Sequence, residues 1–166
     1  EQLRKNTIDG VTGLYTYSAG LRALTERRKN RPEGVVLHLF LDGVKQANEK
    51  NGIVFGDMIL EELGALIRAH CCRLEETGGP VVALRLNWDE FVLWLEGRSR
   101  EEALAFAQAL LEEAQRQAEV FHLRFGAGLA QGEEGQSAEQ IIRMAKQAPS
   151  RPGGPPRFYE GDAGDL

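Results

Sequence analysis

Cysteine is scarce in this sequence: Cys71 and Cys72 are the only two, and they are neighbours. Adjacent cysteines rarely pair with each other, so a disulfide framework is excluded and reduced thiols in a cytoplasmic domain are expected. The same scarcity removes a structural zinc site, because there is no C-x-x-C and His70 has no distant partner cluster. Long apolar runs are missing as well. The longest, Val35 to Leu41, is broken by His38 and is far too short to cross a bilayer. Positive charge is not in excess: 20 Lys and Arg stand against 25 Asp and Glu, a net charge of −5. That balance argues against broad binding to nucleic acid or an anionic membrane, while leaving room for a small basic pocket. The chain starts at Glu1 with no signal pattern. It is therefore expected to be a piece of a longer protein, meeting a membrane only through an upstream domain.

What is present is ordinary globular chain. Its 166 residues are 42% hydrophobic and 27% charged, which suits one domain with one substantial core. Residues 1–8 are polar and read as the end of an incoming linker helix, with the domain proper expected over 9–160 and a flexible acidic tail over 161–166. A short helix is expected from Ser18 to Lys29, with basic residues at its C-terminal end where the dipole favours them. Val35–Leu41 reads as a buried central strand. A polar helical turn over Lys45–Lys50 follows, and then a long amphipathic helix over Asp57–Leu74, with Asp57 available as its N-cap. Val81–Leu86 and Phe91–Leu95 read as a hairpin. Ser99 can cap a helix running to about Val120, and His122–Ala130 reads as a further strand. Ser137-Ala138-Glu139-Gln140 is a capping box opening a helix to Lys146, and Arg157–Tyr159 is expected to add an edge strand. Strands alternating with helices, plus one hairpin, predict an α/β (α+β) domain: a mixed central sheet flanked by helices.

Two places carry candidate chemistry. The hairpin tip holds Asn87-Trp88-Asp89-Glu90, and carboxylates such as Asp89 and Glu90 can ligate a hard divalent cation. Asp42, at the end of the central strand and followed by Gly43 and Lys45, lies where ligands often bind. Acids from the two strand ends could together hold Mg²⁺ and a triphosphate. Each signal also has a plain structural reading: a solvated turn at Asp89-Glu90 and at Asp42-Gly43, a local cap at Asn48 or Asp57, a cation on a helix C-terminus at Lys146.

Taken in order, these residues resemble a GGDEF domain of the diguanylate cyclase family over nearly the whole chain. Asp9-Gly10-Val11-Thr12-Gly13-Leu14-Tyr15 is similar to the family's D-x-L-T-G-L-Y entrance. Leu41-Asp42-Gly43-Val44-Lys45-Gln46-Ala47-Asn48, with Asn51-Gly52 and Gly56-Asp57, resembles D-x-D-x-F-K-x-I-N-D-x-x-G-H-x-x-G-D. Arg85-Leu86-Asn87-Trp88-Asp89-Glu90-Phe91 stands where R-x-G-G-D-E-F is expected, and Ala138-Glu139 with Ala145-Lys146 is similar to A-D-x-A-L-Y-x-A-K. The resemblance implies a palm-like fold that condenses two GTP into cyclic di-GMP across a dimer, with Mg²⁺ held by a first-strand Asp and an acid of the hairpin turn. It assigns Asn48 and Asp57 to guanine and Lys45 and Lys146 to the phosphates. It assigns Asp89 to the metal, and Glu90 to the second acid of the signature.

The departures from that pattern are as informative. Phe40 stands at the first-strand metal Asp, and a phenyl ring cannot ligate Mg²⁺. Asp42, two residues on, is a weak substitute ligand. Asn87 and Trp88 replace both signature glycines, and the indole is expected to crowd the phosphates or ribose. Ser150 stands where the family has a phosphate-binding Arg, with Arg151 one residue off register; Ile53 replaces a His. Gly78 and Val81 occupy the product-inhibition motif R-x-x-D. The expected function is a catalytically inactive signalling or dimerisation module, with Asp89 and Glu90 vestigial, weak guanine-nucleotide binding retained, and Mg²⁺ present only with bound nucleotide. The alternative is an active diguanylate cyclase with Asp42 and Asp89 as a rearranged metal pair. Expected partners are other domains of a longer chain, a second copy and GTP, and not nucleic acid.

Overall fold

A computed structural model describes residues 7–161, with Ile53 lacking a described side chain. The linker-helix reading for residues 1–6 and the tail reading for 162–166 lie outside the described residues. The elements are α1 (Tyr17–Asn30), β1 (Gly34–Asp42), α2 (Val44–Asn51), α3 (Ile53–Glu75), β2 (Val81–Asn87), β3 (Glu90–Glu96), α4 (Arg100–Ala118), β4 (Arg124–Gly132), α5 (Ala138–Lys146) and β5 (Arg157–Phe158). The strands form one sheet in the order β2-β3-β1-β4-β5. β1 pairs antiparallel with both β3 and β4, and only β5 runs parallel to its neighbour. The expected mixed sheet flanked by helices is therefore present.

The position of β1 follows from its composition. A strand apolar on both faces gains most when both faces are covered. Val35, Leu37, Leu39 and Leu41 enter the larger core with residues of α3 and α4, while Val36 enters a second core with Leu24 of α1 and Ile141 of α5. Period-2 alternation then puts His38, Phe40 and Asp42 on the same face as Val36, running toward the strand's C-terminal end. The second core is completed by Trp94, over whose ring the Arg28 guanidinium sits at 5.4 Å.

The predicted capping box at Ser137 forms, and the predicted cap at Ser99 turns out to be a full capping box as well. Ser99 Oγ accepts from Glu102 N at 3.1 Å, and Ser137 Oγ accepts from Gln140 N at 3.1 Å. The two cysteines are free; Cys71 is buried, and burial pushes its thiol up to about 12. Among the described residues no helix is long and apolar enough to cross a membrane.

Three boundaries differ from expectation, each for a local reason. α3 starts at Ile53 rather than Asp57. Gly52, at φ 93°, reverses the chain right after α2, so the new helix begins at once, and Asp57 is an exposed residue inside it rather than its N-cap. The strand read from His122 starts at Arg124, because a 3₁₀ turn over Glu119–Phe121 ends in His122 at φ 59°. The hairpin tip is tighter than expected: Asn87 pairs with Glu90, leaving Trp88-Asp89 as the turn, with a register shift between Arg85 and Asn87.

α3 runs so close to the entrance turn that a Cβ on Gly64 would overlap the Thr12 backbone. Gly64→Ala is expected to destabilise the fold by about 1–3 kcal/mol, as overpacking does. Thermal unfolding would show it, as a Tm lowered by roughly 2–4 °C per kcal/mol.

Candidate functional site

The C-terminal end of β1, the β2–β3 turn and the end of α5 converge on a cleft of about 390 Å³, lined among others by His38, Phe40, Asp42, Asp89, Glu90, Lys146 and Ser150. The turn is tied to the strand by Leu41 N, which donates to Asp89 O at 3.1 Å. Of the residues singled out from sequence, Asp42, Asp89, Glu90 and Lys146 are thus brought together. Lys45, Asn48 and Asp57 are not part of this lining; they sit on α2 and α3.

Glu90 is the most heavily bonded group in the cleft. His38 Nε2 lies 2.6 Å from Glu90 Oε1, Asn87 Nδ2 donates to Glu90 Oε2 at 2.5 Å, and Lys146 Nζ stands 3.9 Å from Oε1. A carboxylate only accepts, so we assign His38 the Nε2–H tautomer. Its Nδ1 is then buried with no partner among the described residues. Burial of the ring holds the His38 pKa below its ordinary value, against the pull of Glu90. Burial pushes the Glu90 carboxyl up, but the bonds from Asn87 and His38 outweigh it and leave the group below its ordinary value. Asp89 is shifted the other way, raised by burial and by the neighbouring Glu90 charge, with Asp42 adding a little.

Phe40 closes the floor. Its ring stacks on His38 at 5.5 Å between centroids and lies over Gly126, its register partner on β4, where a Cβ would overlap the ring. Asp42 is exposed and faces Arg124 across the β1–β4 pair at 3.6 Å. Among the described residues, no group of three or more His, Cys, Asp or Glu side chains is placed to hold a metal ion.

Trp88 departs from expectation. It is 42% exposed and is not among the residues lining the cleft. Arg85 fixes the backbone that carries it, donating to Asn87 O at 3.2 Å and Trp88 O at 2.8 Å while also reaching Asp9 at 3.1 Å. On α2, Asn48 packs against Gly56, and its Oδ1 is buried with no partner among the described residues. Lys45 and Asp57 are exposed.

Two functional side chains escaped the sequence reading. His38 was visible only as an interruption of an apolar run, and the period-2 rule that places it beside Phe40 and Asp42 was the available signal. Asn87 was read as a lost glycine, whereas its amide is a ligand of Glu90.

A folded-state pKa below the ordinary value means the unfolded chain takes the proton first. Stability contributed by the neutral His38 is therefore complete above about pH 6.5 and falls as pH drops below it. The Glu90 contribution is lost later, below the ordinary carboxylate range. In His38→Leu the fall in stability that begins near pH 6.5 is expected to shrink, and Glu90 to titrate at a higher pH than in the parent. Denaturant unfolding across pH and an NMR titration of the Glu90 carboxyl carbon check both; an unmoved Glu90 titration would contradict the assigned bond.

Comparison with known proteins agrees with this architecture. The family described as diguanylate cyclase, GGDEF domain, matches residues 6–151. Diguanylate cyclase DgcS of Shewanella oneidensis is 30% identical over 146 residues, covering 83% of this chain and 46% of that protein. The GGDEF domain of DgcB from Caulobacter crescentus, solved in complex with c-di-GMP, superposes with a TM-score of 0.72 at 18% identity, covering 93% of this chain and 94% of that one. The S helix-GGDEF-EAL structure of LapD from Vibrio cholerae gives a TM-score of 0.73 at 18% identity over 89% of this chain and 34% of that one. At such identities the two structures speak for the fold alone. The chain spans less than half the length of DgcS.

Proposed function

The chain belongs to the GGDEF domain family of diguanylate cyclases, and from that premise we propose that it is a member without nucleotidyl transfer. It acts as a signalling and dimerisation module within a longer protein and keeps a weak hold on guanine nucleotide. The observation that carries this reading is the state of Glu90. Each of its oxygens already accepts a hydrogen bond, from His38 and from Asn87, and beside it stands a phenyl ring instead of a carboxylate.

Phosphoryl transfer depends almost wholly on positioning and on stabilising charge at the phosphates. Mg²⁺ asks for oxygen ligands in near-octahedral order. Phe40 offers none, Glu90 already accepts bonds from His38 and Asn87, and Asp42 is a lone exposed carboxylate at the strand end. Asp89 remains, with a carboxyl that holds its proton to a higher pH than usual. These residues do not fit a two-ion site, so Mg²⁺ enters only with the phosphates of a bound nucleotide, near Asp89 and Asp42. Lys45 and Lys146 are the cations on hand for those phosphates.

Guanine recognition is better preserved. Guanine offers N–H donors along its Watson–Crick edge. The buried, unpartnered Asn48 Oδ1 is an acceptor suited to one of them, and Asp57 on the neighbouring helix is a second. Neither residue needs a metal for this.

The longest form of the protein, incubated with GTP and Mg²⁺, is expected to yield no cyclic di-GMP. Turnover that Asp89→Ala abolishes would overturn the reading in favour of a working cyclase using Asp42 and Asp89. Calorimetry is expected to show weak heat with millimolar GTP, and Asn48→Ala to bind about tenfold more weakly, the worth of one lost hydrogen bond.

A further inference from the structure

A second opening, of about 550 Å³, lies on the other side of Asp42, between α2 and the segment Val120–Arg124 that leads into β4. That volume lies within the usual range for small-molecule sites. Its width is set by two left-handed residues. Gly43, at φ 99°, brings the β1–α2 turn close under the His122 turn; a Cβ there would stand 3.3 Å from His122 O. His122, at φ 59°, is the one non-glycine residue with positive φ among the described residues.

The lining divides by chemistry. Phe121 presents a ring fixed edge-on by Phe55, with 4.6 Å between centroids, and Val120 beside it is 78% exposed. Lys50, His122 and Arg124 supply nitrogen donors, and Asp42 is the only acid in the lining. In a chain with 25 acids and 20 bases, this is a local reversal of sign. Asp42 satisfies Arg124 only loosely: the pair is 3.6 Å apart with both side chains more than half exposed, a geometry worth little in water.

We propose that this cleft binds a small organic anion with a flat apolar body, a carboxylate or phosphate monoester whose ring lies on Phe121 and Val120. The anionic head takes Arg124 in a bidentate, charge-assisted contact, with Lys50 beside it. The head replaces Asp42 on the guanidinium. Asp42 lines the cleft beside Glu90 as well, so its release adds a free carboxylate near Asp89. This proposal does not depend on the catalytic state of the other cleft.

The test uses phenyl phosphate as the probe, titrated to about 10 mM into the isotope-labelled chain without GTP or Mg²⁺, since ligands of this size bind in the millimolar range. Saturable amide shifts are expected at Lys50, Phe121 and Arg124. The double variant Lys50→Ala, Arg124→Ala is expected to bind at least tenfold more weakly, with amide positions away from the cleft unchanged to show that it is folded. Inorganic phosphate, which lacks the ring, is expected to bind at least tenfold more weakly than phenyl phosphate. No saturable shift, shifts centred elsewhere, equal binding by the double variant, or equal binding of the two phosphates would each overturn the proposal. Because no cyclic di-GMP is measured, failure of the inactive-module reading leaves this result standing.

Discussion

The hydrogen bond between His38 and Glu90 organises one whole end of the sheet. It joins adjacent strands at a half-buried point where a lone carboxylate would be costly to desolvate. Burial pulls the Glu90 carboxyl upward, and the bonds from Asn87 and from the imidazole outweigh that pull and hold it below its ordinary value. Phe40 stacks on the imidazole, Asn87 braces the other carboxylate oxygen, and Lys146 supplies a distant positive charge. The arrangement is self-satisfied except for one imidazole nitrogen. A site built for chemistry keeps its acids available to incoming atoms. Here the central acid is spent on holding the protein together.

Chain entrance, hairpin and helices all feed this end. Arg85 ties the turn carrying Asp89 to Asp9 near the start of the described chain, and Thr12 in turn bonds to Asp9 through backbone and side chain. The turn is thus rigid through contacts independent of any ligand. The turn presents an exposed indole at Trp88 next to Glu90, each of whose oxygens accepts a hydrogen bond from within the domain. The chain carries 25 acids against 20 bases, yet the cleft beside α2 is lined by Lys50, His122 and Arg124 with Asp42 as its one acid, so charge is patterned on a scale finer than the net value suggests.

Much of the fold was legible because it is local. The run Val35–Leu41 announced a strand buried on both faces, and the cap at Ser99 and the capping box at Ser137 announced the starts of α4 and α5. The ordered motifs brought Asp42, Asp89, Glu90 and Lys146 to one place. What escaped depends on partners distant in sequence. The bond of His38 to Glu90 spans 52 positions and exists only because β1 pairs with β3 in a particular register. The role of Asn87 depends on its pairing with Glu90 beyond a register shift in β2. The start of α3 escaped for another reason: Asp57 is a good capping residue, but Gly52 had already turned the chain five residues earlier. The outward placement of Trp88 follows from turn geometry that composition alone does not fix.

The seat of Phe40 on Gly126 makes the present arrangement hard to walk back. An aspartate put at position 40 would uncover bare backbone on β4 and set a new negative charge beside Glu90, its register partner on β3. Neither loss is relieved unless His38, Asn87 and the residue at 126 change as well. Position 40 thus couples three strands: a change of its side chain is felt at Gly126 on one side and at Glu90 on the other.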